Sequence, residues 1–111
     1  MKLIKSSEGQ YYDAAKHFHC WSVHKLTPGT ESVRLNVAFS HFLPNGGTEM
    51  ASSPLERVYY VVAGSLKIKG KAEEFILNAG DLLYIGPGED REVSVVGTQP
   101  ASILVVMTKV D

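Results

Sequence analysis

From residue 33 to residue 106 the chain is a series of short β-branched and aromatic runs, each cut off by Gly, Pro, Asn or Asp before a helix of ordinary length can form. Residues 33–43 set Leu35, Val37, Phe39, His41 and Leu43 on one side and Asn36, Ala38 and Ser40 on the other. That period of two suits a pleated strand and not a helix. The apolar row predicts an inward face, with His41 pointing into the core beside Glu49. Pro44-Asn45-Gly46-Gly47 predicts a turn, because Asn and Gly accept positive φ at little cost. Residues 58–62 follow as a strand, and Ala63-Gly64 predicts a hairpin to residues 65–69, with Leu66 and Ile68 facing inward. Strands at 75–77, 82–85, 92–96 and 103–106 complete the set, and the only helical candidate is a turn at 13–16. Many short strands at even spacing predict an all-β sandwich or barrel.

A chain of 111 residues with 44% hydrophobic content fits one domain, 1–111, with residues 1–32 as an N-terminal arm bearing an edge strand and residues 33–109 as the barrel. Domains of this size bury on the order of two-thirds of their unfolded surface, so a homodimer is expected to extend the core. Net charge is −1, which supplies no basic field for phosphates and argues against nucleic acid as a partner. The start, MKLIKSSEGQ, has no signal-peptide core, and no window reaches the ~18 apolar residues of a membrane helix. A cytoplasmic protein with no membrane partner is expected, and the lone Cys20 suits a reducing compartment.

Two stretches carry more information than the rest: GGTEMASSPLERVYYVVAG, from Gly46 to Gly64, and GDLLYIGPGEDREV, from Gly80 to Val93. In layout they resemble the paired motifs of the cupins, small β-barrels of jelly-roll (double-stranded β-helix) architecture that usually hold a metal ion. Anchoring the first motif on Gly64 sets Arg57 at its Glu position and Ser53 and Ala51 at its two His positions. Anchoring the second on Gly80 and Gly88 sets Arg91 at its His position and Gly86 at its Pro position. The resemblance spans residues 33–106, and a slip of one residue recovers only Glu56 as a carboxylate. It implies an all-β cupin barrel without the usual metal, in which Ala51, Ser53, Arg57 and Arg91 converge at one end.

Two neighbouring guanidiniums repel and lose hydration, so a negative partner is required. Glu49, Glu56, Glu89 and Glu92 are the internal candidates, and pairing among Arg and Glu is the commoner arrangement at a barrel mouth. A carboxylate or phosphate ligand is the other, matched by the fork of Arg. Tyr59 shares strand parity with Arg57, so Tyr59, His41 and Glu49 are expected to line the pocket. Trp21, Tyr11 and Tyr12 read equally as a cap over a ligand or as an interface. In HFHCWSVH, the donors of His17, His19, Cys20 and His24 are a candidate zinc set, but their spacing matches no common zinc template, and strand alternation sets His17 and His19 opposite Cys20 and His24, so that convergence needs a bend.

The sequence therefore predicts a module that binds a small polar or anionic organic molecule, with no cofactor. The alternative is a small cupin enzyme, an isomerase, epimerase, decarboxylase or dioxygenase acting on a sugar or small carboxylate, with His41 as base and Tyr59 as acid. A divalent transition metal on relocated ligands, His17, His19, His41 and Glu49, is the remaining cofactor alternative. Gly86-Pro87-Gly88 is a turn with no helix behind it to cradle phosphate.

Overall fold

The computed structural model describes residues 1–108, which form strands and no helix. The strands are β1 (Gln10–Tyr12), β2 (His17–Leu26), β3 (Leu35–Ala51), β4 (Arg57–Ala63), β5 (Ser65–Lys69), β6 (Glu74–Asn78), β7 (Leu82–Ile85), β8 (Arg91–Val95) and β9 (Ala101–Thr108). All pair antiparallel, in the order β6-β5-β8-β3-β9-β4-β7, with β2 on β3 and β1 on β2. The sheet curls into a nearly closed barrel of the all-β jelly-roll type expected from the sequence. Its two ends, β6 and β7, stay unpaired with each other among the described residues.

β3 organises the barrel. Its first half lies between β2 and β9, and its last residues pair with β8 in the other half of the barrel. Pro44-Asn45-Gly46-Gly47 is therefore not the turn the sequence suggested. It is the corner at which one continuous strand passes from one side of the barrel to the other, with Asn45 at φ 70°. The glycines serve close approach there: a Cβ on Gly46 would lie 2.5 Å from the His19 carbonyl oxygen, and one on Gly47 2.1 Å from that of Val93.

The inward face of β3 is also the opposite of the predicted one. Ala38, Ser40 and Phe42 are buried, whereas Leu35 and Leu43 are exposed. The apolar outer row led the reading astray because the inner row carries small residues that the crowded interior requires. Ser40 is satisfied there by Ser22, hydroxyl to hydroxyl at 2.9 Å.

The predicted β4–β5 hairpin does not form. β4 pairs with β9 and β7, and at Gly64 (φ 76°) the chain crosses to pair β5 with β6 and β8. Leu66 and Ile68 do face inward, joining Phe42, Tyr59, Val61, Leu77, Ile85, Val93, Ile103 and Val105 in one core. Residues 15–16 form a turn where a helical turn had been the candidate.

The N-terminal arm is fastened to the barrel. The Lys25 ammonium donates to the carbonyls of Lys5, at 3.3 Å, and Ser6, at 3.0 Å, and also to that of Glu8, pinning residues 5–8 against β2. This anchor leads into β1 and the segment after it, which close one end of the barrel.

Candidate functional site

The inner faces of β3, β4, β8 and β9 enclose a cavity of about 260 Å³ that Tyr12, Asp13, Ala14, Ala15 and His17 border from the arm. Ser40, Phe42, Thr48, Val93, Ile103, Val105 and Met107 supply its mostly apolar walls, and Arg57, Tyr59 and Arg91 its polar floor.

Both motif arginines reach this cavity. Arg91 donates from Nε to the Tyr59 hydroxyl oxygen at 3.1 Å and from Nη1 to the Ala51 carbonyl at 2.8 Å. Burial lowers the Arg57 pKa, and the Arg91 charge lowers it further. Among the described residues, neither guanidinium is ion-paired with a carboxylate.

The internal partners suggested by the sequence are engaged or placed elsewhere. Glu56 accepts from the Tyr84 hydroxyl at 2.8 Å, Glu89 accepts from the Gly86 N–H at 2.6 Å, Glu92 stands opposite Lys69 on β5, and Glu49 is exposed. Asp13 borders the cavity from the arm, beyond ion-pair distance of both arginines.

His17 is the other polar group that faces the cavity. Its Nδ1 lies 2.8 Å from the Ala15 carbonyl oxygen, which can only accept, so Nδ1 carries the proton and Nε2 keeps its lone pair. The ring stacks on Phe42 at 6.0 Å between centroids. Burial pushes its pKa below the usual 6.5, and the Arg91 and Arg57 charges push the same way, against the Ala15 hydrogen bond. The imidazole is neutral at pH 7.

The unfolded chain therefore takes up the proton more readily than the folded one. The stability this contributes is complete above about pH 6.5 and is lost as pH falls below it toward the depressed folded value. His41, also lowered by burial, works in the same direction. The thermal midpoint is expected to drop between pH 7 and pH 5, and His17→Gln to flatten that drop. An unchanged slope in the variant would remove His17 from the balance.

His41 itself lies outside the cavity. It sits on the outer face of β3, where Nδ1 is 2.8 Å from the Ser102 hydroxyl and the ring packs between Phe39 and Trp21, 5.3 Å from the latter. Inverting the face of β3 accounts for the difference, and the predicted neighbour Glu49 does not approach it. Tyr59 is buried in the cavity wall. Ala51 contributes its backbone carbonyl, not its side chain. Ser53 is outside the cavity lining, where its hydroxyl accepts from the Leu55 N–H at 3.2 Å and its carbonyl from the Gly88 N–H.

His19, at φ 49°, occupies an irregularity of β2 between Phe18 and Cys20. Its left-handed backbone breaks the alternation: His17, Cys20 and Ser22 all turn inward, while His19 is exposed. His24 stacks on Tyr12 at 3.8 Å. Neither the zinc set nor the set His17, His19, His41 and Glu49 is gathered: among the described residues no three His, Cys, Asp or Glu side chains form a metal-binding cluster. The positions that the cupin motif gives to metal ligands hold two cationic side chains, an alanine and a serine, a donor set that does not suit a cation.

The sequence grouped Arg57, Arg91 and Tyr59, and all three line the cavity; it gave His17 only a metal-ligand role and passed over Ser40, Phe42 and Thr48. Their signal was the small and polar row of β3, visible only once burial shows which row faces in.

A nearly closed antiparallel barrel with a polar-floored internal cavity defines a class of small β-barrel domains built around a ligand-sized interior. Within that class this chain belongs to the cupin family: the family model described as a Cupin domain matches residues 38–107. No curated protein matches the sequence significantly. Solved structures resemble the fold closely at low identity. The polyketide cyclase RemF from Streptomyces resistomycificus aligns with a TM-score of 0.84 at 18% identity, over 97% of this chain and 79% of its own. A predicted oxalate decarboxylase from Thermotoga maritima gives 0.82 at 15%, over 98% of this chain and 100% of its own. An RmlC-like cupin from Shewanella frigidimarina gives 0.78 at 13%, over 96% and 88%. Among the described residues no helix is long and apolar enough to cross a membrane.

Proposed function

We propose that this cupin binds a small organic anion, a carboxylate or a phosphate ester, in its barrel without a metal ion, through the guanidiniums of Arg57 and Arg91. The observation that carries this reading is the pair of partly buried arginines that share one cavity with no carboxylate paired to either. Such a pair favours whatever negative group completes it, and the planar fork of Arg matches two oxygens at once. Tyr59 holds Arg91 in place, and a setting less polar than bulk water strengthens each charged contact. The predicted oxalate decarboxylase among the structural neighbours is named for a small dicarboxylate, but the argument here rests on this chain's own arginines.

Thermal stabilisation and calorimetric titration with acetate, oxalate and phosphate test the reading. At least one is expected to bind, and Arg91→Ala to weaken it tenfold or more, since hydrogen bonds to a charged group contribute about 1.5–3 kcal/mol. Equal affinity in parent and variant would sink the assignment of Arg91.

A second reading, catalysis in the same cavity, is favoured by His17. Its fixed tautomer leaves Nε2 as a base on a residue that lines the same cavity as Tyr59, so His17 takes the role the sequence gave His41. Isomerisation or decarboxylation of the bound acid would then show a rate that depends on His17. The protein is further proposed to act in the cytoplasm as a homodimer, packing through the apolar outer residues Trp21, Leu35, Leu43, Tyr60 and Val62 that are exposed in one copy.

A further inference from the structure

The barrel has a second opening. Where the ends of the sheet, β6 and β7, face each other without pairing, a cleft of about 280 Å³ opens beside the core. Its apolar walls are Ile68 and Phe75 from one end and Leu83 and Ile85 from the other, and the turn at residues 70–73 forms its rim. Arg91 lines this cleft and also the barrel cavity, and among the described residues it is the one residue common to both linings. Its guanidinium is tied down by Tyr59 and the Ala51 carbonyl, at the residue the two linings share.

Charge on the slot's rim limits what lies there. Lys71 is ion-paired with Asp90 at 3.0 Å, leaving Glu73 and Glu89 as carboxylates along the lining. A second anionic group in the slot meets like charge, whereas an uncharged apolar body meets Ile68, Phe75 and Leu83. Phe75 is 42% exposed, so contact surface is present that the folded chain leaves to solvent.

We propose that the ligand is an amphipathic monoacid, with its carboxylate on Arg91 and Arg57 and an uncharged aromatic or aliphatic body in the seam between β6 and β7. The proposal rests on the anion-binding reading above and adds the chemical class of the rest of the molecule. The unclosed seam is then part of the binding site, and the cavity alone holds only the acid group.

Affinities of acetate, 4-phenylbutyrate and heptanedioate, measured by ligand-observed NMR titration, test it. 4-Phenylbutyrate is expected to bind at least tenfold more tightly than acetate, and heptanedioate to gain nothing over acetate because its second carboxylate meets Glu73 and Glu89. Phe75→Ser and Ala72→Trp, both at exposed positions, are expected to remove the gain of 4-phenylbutyrate while leaving acetate unchanged. Acetate binding with no gain for 4-phenylbutyrate, or a gain that survives both variants, overturns the seam site and leaves the arginine site standing. Binding of neither acid overturns the seam site, and the arginine site falls with it where oxalate and phosphate also fail to bind.

Discussion

An Arg57→Met variant is expected to be more thermostable than the parent in anion-free buffer and, at the same time, to lose the stabilisation that carboxylates give the parent. The two effects share one origin. Arg57 is partly buried and faces the Arg91 charge, and no carboxylate among the described residues is paired with it. Folding therefore sacrifices hydration of a cation and brings two like charges together. Replacing a buried charge by an apolar chain of similar length stabilises by about 1–4 kcal/mol where burial is complete. Arg57 keeps part of its solvent, which screens the repulsion, so about 1 kcal/mol is the appropriate scale, or a rise of roughly 4 °C in the midpoint. The binding loss should be tenfold or more, as one of the two forks is gone. Scanning calorimetry with and without oxalate or acetate measures both. A variant less stable than the parent, with unaltered response to anions, would mean that Arg57 is satisfied within the protein and serves the fold alone.

That opposition between stability and binding is the general signature of a site held ready for a ligand: the unfavourable charge is retained because the ligand completes it. It also explains why charge reading from sequence went part of the way. Arg57 and Arg91 are separated by 34 positions in the chain. The cupin resemblance is what relates them: with its motifs anchored on Gly64, Gly80 and Gly88, both arginines fall at ligand positions that converge in that family. The partners were not legible. Glu56 and Glu89 adjoin the arginines in sequence, yet strand alternation turns Glu56 outward to Tyr84, and Glu89 closes its own turn on Gly86. Adjacency along a strand is separation across the sheet.

His41 and His17 show the complementary limit. His41 lay in the most apolar row of β3 and read as an inward residue, but that row packs beneath Trp21 on the outer face. His17 reads as sharing a face with His19, but the irregularity between Phe18 and Cys20, with His19 at φ 49°, breaks the alternation of β2. A slip of one residue exchanges the faces of a strand, and no pattern in the sequence announced where the slip occurs.

Gly47→Ala is expected to destabilise the chain severely although it adds a single methyl group. Gly47 pairs with Phe18 on one side and Ser94 on the other, at the point where β3 leaves one half of the barrel for the other. A Cβ there would stand 2.1 Å from the Val93 carbonyl oxygen and 3.1 Å from its carbon, both backbone atoms in a paired strand with no rotamer to relieve the contact. β8 must move away, and with it the ladder to β3 and the setting of Arg91 at the start of the same strand. Overpacking of this kind costs about 3 kcal/mol when the neighbour is rigid, a fall of roughly 10 °C in the midpoint. Gly70→Ala is the matched control, because its Cβ would come no closer than 3.4 Å to the Asp90 carbonyl oxygen and its backbone needs no positive φ. That variant should be neutral or slightly more stable, through the reduced freedom of the unfolded chain. If Gly47→Ala unfolds at the parent's temperature and still answers to anions, the corner is looser than its contacts indicate, and the chain would pass between the two halves of the barrel without depending on a missing side chain at that point.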